Sequence, residues 1–149
     1  PSEGMLNVYT LRRTDEAWQI LERHENVGMM GSNGSIGIVK WIALGSGKPG
    51  ILVSSGGTWQ GYTIINAEVF DLDQGMRSLG GFPEFSSSRG ACVPETEDCW
   101  EVEGTISTVS ARPDNYRDIV VEFEGKHFRL IKDANGNEVE RLTRPVHQT

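Results

Sequence analysis

The stretch WIALGSGKPGILV, residues 41–53, decides how the rest of the chain is read. Its Gly45, Gly47 and Gly50 reproduce G-x-G-x-x-G, the spacing of loops that cradle a pyrophosphate. Such a loop works because its last glycine opens a helix whose N-terminal amides face the phosphate. Here Pro49-Gly50 leads instead into ILVSS, an apolar run with no helical periodicity, and a second β-type run, Ile36–Leu44, precedes the glycines. A P-loop needs Ser or Thr after its lysine, and Lys48 is followed by proline. The acidic residue that would meet a ribose, Glu68, lies in another β-like run, TIINAEVF. GSGKPG is therefore a turn between two strands, and no nucleotide or other cofactor is expected.

Outward from this turn, the chain reads as short strands separated by turn residues. Three segments share an aromatic, any residue, a leucine, a polar turn and a second strand. They are YTLRRTDEAWQIL from Tyr9, FDLDQGMRSL from Phe70 and FRLIKDANGNEVERL from Phe128, with aromatics 61 and 58 residues apart. Each reads as a hairpin, with turns at Thr14–Glu16, Asp73–Gly75 and Ala134–Asn137. The second is preceded by strands Ile36–Leu44 and Ile51–Ser55, the third by Trp100–Val109 and Asp118–Glu124. The expectation is one all-β domain over residues 1–149, an antiparallel meander of about ten strands. It would comprise two and a half four-stranded units, at residues 1–30 (partial), 36–80 and 100–143, arranged as a partial propeller or a β-sandwich.

The segments GSGKPGILVSSGG (45–57) and PDNYRDIVVEFEG (113–125) resemble the repeats of FG-GAP, integrin-α-like β-propeller proteins. The resemblance covers residues 36–143. It implies a Gly/Asp/Pro-rich loop before a strand carrying an Ile/Leu-Val pair, with a four-stranded blade around it. Blades of that family often carry a D-x-D-x-D-G calcium loop. Asp71, Asp73 and Gly75 in DLDQG are a fragment of one, and KDANGNE lacks its acidic density. Asp133, Asn135 and Asn137 likewise begin an EF-hand pattern, but Glu138 and Arg144 stand where Gly and Glu are required. No metal site is expected.

Composition narrows the function. A formal net charge of −7 argues against nucleic acid, which calls for a basic face. No apolar run reaches the length of a membrane span. The two cysteines, Cys92 and Cys99, would close a polar ring of eight residues; their spacing is not C-x-x-C and the histidines lie far off in sequence. They are expected to form a disulfide that stabilises by about 2–3 kcal/mol, which places the protein in an oxidising compartment, periplasmic or secreted.

Catalytic patterns are missing. No serine lies in G-x-S-x-G. His24, His127 and His147 read as solvent-facing residues, His127 at a hairpin turn. Glu122 and Glu124 share one strand face, as solvated carboxylates commonly do. The protein is not expected to be an enzyme.

Two stretches suit binding. CVPETEDCWEVEG carries Glu95, Glu97, Asp98, Glu101 and Glu103, and from Glu84 to Glu103 six acids face one base, Arg89. With a Cys92–Cys99 staple and Trp100 beside it, this loop suits docking to a cationic protein: the ring lowers the ordering cost, the charge steers, the indole anchors. SSGGTWQGYT, residues 54–63, offers Trp59 and Tyr62 among glycines, an arrangement that fits carbohydrate or protein. The leading expectation is an acidic inhibitor or immunity protein that blocks a cationic enzyme or toxin. The alternative is a repeat module of a surface protein that binds carbohydrate or protein through Trp59 and Tyr62.

Overall fold

The computed structural model describes residues 2–73, 75–109 and 116–149. Within them lie nine strands and a single 3-10 turn, Arg89–Ala91, and every strand pairing is antiparallel. Strands β1 (Gly4–Arg13) and β2 (Trp18–Met30) form a two-stranded ribbon. Strands β3 (Ile38–Gly45), β4 (Lys48–Trp59), β5 (Tyr62–Asp71), β6 (Arg77–Ser87), β7 (Cys99–Val109), β8 (Asp118–Lys132) and β9 (Glu138–Gln148) form one seven-stranded meander in chain order. The all-β antiparallel class is as the sequence indicates.

GSGKPG is the β3–β4 turn. Gly45 pairs with Lys48 across Ser46-Gly47, and Gly47 takes φ +64, a conformation that costs glycine least. The Lys48 ammonium lies 4.4 Å from the centre of the Tyr116 ring and 3.5 Å from Asp73, so it has a structural seat. The expected turns at Thr14–Glu16 and Ala134–Asn137 also stand between paired strands. Gln74, in the third expected turn, and residues 110–115, which include the start of PDNYRD, lie outside the described residues.

The unbroken apolar run Ile51-Leu52-Val53 has a physical reason. Side chains alternate faces along a strand, and β4 is covered on both. On the outer face Ile51, Val53 and Phe70 pack with Leu6 and Met30 of the ribbon. On the inner face Leu52, Ala67 and Val69 pack with Leu44, and Ile106, Tyr116 and Ile119 close over them. Each such side chain contributes about 1.5–3 kcal/mol on burial. The sheet therefore curls into a half-barrel. The Arg117 N–H donates to Leu44 O at 2.7 Å, tying the start of β8 to the end of β3.

The unit boundaries need correcting. Phe85, Ser86 and Ser87 of β6 pair with Glu103, Val102 and Glu101 of β7, so stretches 36–80 and 100–143 belong to one sheet. Stretch 100–143 supplies three strands instead of four, because Asp118–Glu124 runs on through Phe128 as the single strand β8. His127 lies inside β8 opposite Trp100, not at a turn. Gly125 permits this continuity: a Cβ there would stand 2.2 Å from Glu101 O, so only glycine allows the two backbones to come so close.

Candidate docking surface

The two stretches singled out for binding meet at one end of the sheet. Trp59 and Tyr62 close the β4–β5 hairpin as a facing pair, 53% and 41% exposed. The tip of that hairpin rests on the 3-10 turn: Gly61 abuts the backbone of Gly90 and Ala91, directly before Cys92. Across this seam the Tyr62 and Trp100 rings lie 6.0 Å apart, tilted by 35°. Such ring pairs stabilise by about 0.5–1.5 kcal/mol beyond the area they bury.

Trp100 is half-buried, held by more than stacking. Its Nε1–H donates to Ser86 Oγ at 2.9 Å and its backbone N–H to Ser88 Oγ at 3.0 Å, while Ser88 N–H returns a bond to Trp100 O. It serves fold and surface together. The Cys92–Cys99 disulfide is formed, with Cα atoms 5.9 Å apart, and Cys99 is buried opposite Phe128.

The acids divide into two groups. Glu101 is engaged by Arg89, whose Nε lies 3.1 Å from Glu101 Oε2, and Arg89 also pairs with Glu140, which in turn pairs with Lys126. Arg89 holds Glu101 below the usual carboxylate range, Lys126 and then Arg89 do the same for Glu140, and the two carboxylates raise Arg89. Asp98 accepts from Thr143 Oγ1 at 2.7 Å and faces His127 Nδ1 at 3.9 Å. Arg144 Nη2 lies 2.9 Å from His127 Nε2, on the side of the ring away from Asp98. Glu95, Glu97 and Glu103 are exposed and have no ion-pair partner among the described residues. Glu95 takes φ +67, and its N–H donates to Leu130 O at 2.8 Å, which lays the loop against β8. There it lines a groove with Arg129 and Arg141, so the charge is less one-signed in space than in sequence.

The other candidate ligands have internal uses. Asp71 is fully buried and accepts from Tyr116 Oη at 2.6 Å and from the Asp73 N–H at 2.9 Å. Asp133 accepts the backbone N–H groups of Asn137 and Asn135, which hold its carboxyl below the ordinary range and build the β8–β9 turn. Among the described residues no three His, Cys, Asp or Glu side chains group to hold a metal, and no helix is long and apolar enough to cross a membrane.

Sequence reasoning missed the ion-pair network of Arg89, Glu101, Glu140 and Lys126. Glu140 lies 51 residues from Arg89, and only the β7–β8–β9 register brings them together. Comparison with known families, curated proteins and solved structures found no match, so the reading of this surface rests on its geometry.

Proposed function

We propose that this is an extracytoplasmic binding protein that docks a cationic protein, an enzyme or toxin, and blocks it as an inhibitor or immunity protein would. The carrying observation is the Tyr62–Trp100 contact, which joins the aromatic hairpin tip to the stapled acidic loop. The joined surface has features of a docking site: exposed aromatics with acids beside them, of which Glu95 and Glu97 have no ion-pair partner among the described residues, while Glu103 lies on the other face of β7. The disulfide fits an oxidising compartment, periplasmic or secreted. Affinity capture from an extract of such a compartment, followed by assay of the captured enzyme, tests the reading. A basic enzyme held stoichiometrically and inhibited is the expected result. Glu97→Lys with Asp98→Lys should slow its association, and undiminished capture by that variant overturns the reading.

A second reading, a surface module that binds carbohydrate through Trp59 and Tyr62, is supported by the seating of Trp59. Its ring lies over Gly57, where a Cβ would come within 3.1 Å of it, and the side chain is half exposed, as a sugar-stacking platform requires. Glycan-array binding abolished by Trp59→Ala supports this reading; an empty array removes it.

A further inference from the structure

On the inner face of the half-barrel, beside the apolar cluster of Leu52 and Val69, lies a groove of about 420 Å³ that the docking surface does not use. Alternation along β4 puts Ser54, Gly56 and Thr58 on this face, and pairing adds Ile38 of β3 with Ile65 and Thr63 of β5. The groove is of the size of small-ligand sites, roughly 300–1,000 Å³. Its walls carry hydroxyls, open glycine backbone and two isoleucines.

Three features identify the occupant. Ser54 is 7% exposed, and its Oγ has no hydrogen-bond partner in a chain whose other buried side-chain polar atoms, among the described residues, are satisfied. A buried hydroxyl of that kind is costly unless something bonds it. Thr58 and Thr63 share a hydrogen bond at 2.8 Å, and either hydroxyl can turn its remaining capacity into the groove. Lys40 and Glu84 line the groove, neither held in an ion pair among the described residues, so its formal charge is balanced. We propose that this groove binds a small, neutral, polyhydroxylated ligand, a mono- or disaccharide. Thr58 and Thr63 exchange hydrogen bonds with its hydroxyls, Glu84 accepts and Lys40 donates, its C–H face lies on Ile38 and Ile65, and the covered Ser54 Oγ joins them by a turn of its side chain toward the ligand. The inference goes beyond both readings above and depends on neither, since Trp59 and Tyr62 stand on the opposite face of the same hairpin.

The experiment is amide NMR titration of the whole protein with glucose, N-acetylglucosamine, maltose and cellobiose in the millimolar range, with glycine and lysine as zwitterionic controls. At least one sugar should shift the Ser54, Gly56 and Thr63 amides saturably. Ser54→Ala removes only an unpartnered hydroxyl and should leave the melting temperature unchanged or higher, while weakening that sugar about tenfold. Thr63→Val gives a second fold-preserving reading of the same loss. No saturable shift at these amides with any sugar overturns the proposal. So does response to the amino acids alone, or sugar binding that Trp59→Ala abolishes and Ser54→Ala leaves intact.

Discussion

The Tyr116 hydroxyl donates to Asp71 Oδ2 at 2.6 Å across 45 residues of sequence, and Asp71 is wholly buried. The bond fastens the entry to β8 onto the end of β5, beside the Arg117–Leu44 tie. Asp71 accepts the proton's bond, so the hydroxyl holds its proton beyond the ordinary tyrosine range. Stability from this pair is full below the ordinary tyrosine pKa and is lost as pH rises through the raised one. Tyr116→Phe should lower the melting temperature by a few degrees at neutral pH, and its deficit should shrink in strong alkali. An unchanged melt at neutral pH would contradict the tie.

Reduction offers a second check. Opening Cys92–Cys99 should cost about 2–3 kcal/mol from the eight-residue ring. Guanidinium unfolding with and without dithiothreitol measures it. Cys99→Ala should cost more than Cys92→Ala, because Cys99 is buried against Phe128 while Cys92 is partly exposed.

Acid should weaken the Arg89 network. Glu101 and Glu140 are held below their ordinary range, so their contribution is complete above about pH 4.5 and drains away as pH falls through the depressed values. The melting temperature of the wild type should fall more steeply in acid than that of Arg89→Met, the two curves converging. At neutral pH the difference should be about 1 kcal/mol, smaller in molar salt, because these side chains are about a third or more exposed.

The two tryptophans of the surface should behave differently. Trp100→Ala removes a half-buried indole with its Ser86 bond and its Tyr62 contact, and should destabilise by about 2–4 kcal/mol. Trp59→Ala should change stability by no more than about 0.5 kcal/mol. Thermal melts of both variants decide whether Trp100 has the structural share assigned to it.

Strands and turns were legible where turn chemistry is explicit. GSGKPG and the Ala134–Asn137 turn both read correctly, because each needs residues that strands avoid. The reading failed where glycine has another purpose. Gly125-Lys126 looks like a strand break, but the glycine is there for a close backbone approach, so β8 is one strand. The same ambiguity hid the length of β4, which runs through Gly56-Gly57 to Trp59. The candidate residues were visible as residue types, whereas their convergence was not. Tyr62 and Trp100 meet through the successive registers of β5, β6 and β7, while Asp98 acquires a partner on β9 and Glu101 one in the 3-10 turn.

The order of the meander has a consequence for how the chain comes to be folded. Each strand from β3 to β9 pairs with its neighbour in sequence, so hairpins can zip one after another with short loops to close. The ribbon is different. Leu6 and Met30 find their packing partners in Ile51, Val53 and Phe70, all made later during synthesis. An isolated two-stranded hairpin is marginal in water. Residues 4–30 therefore gain stable structure only when β4 and β5 have paired to supply their packing surface.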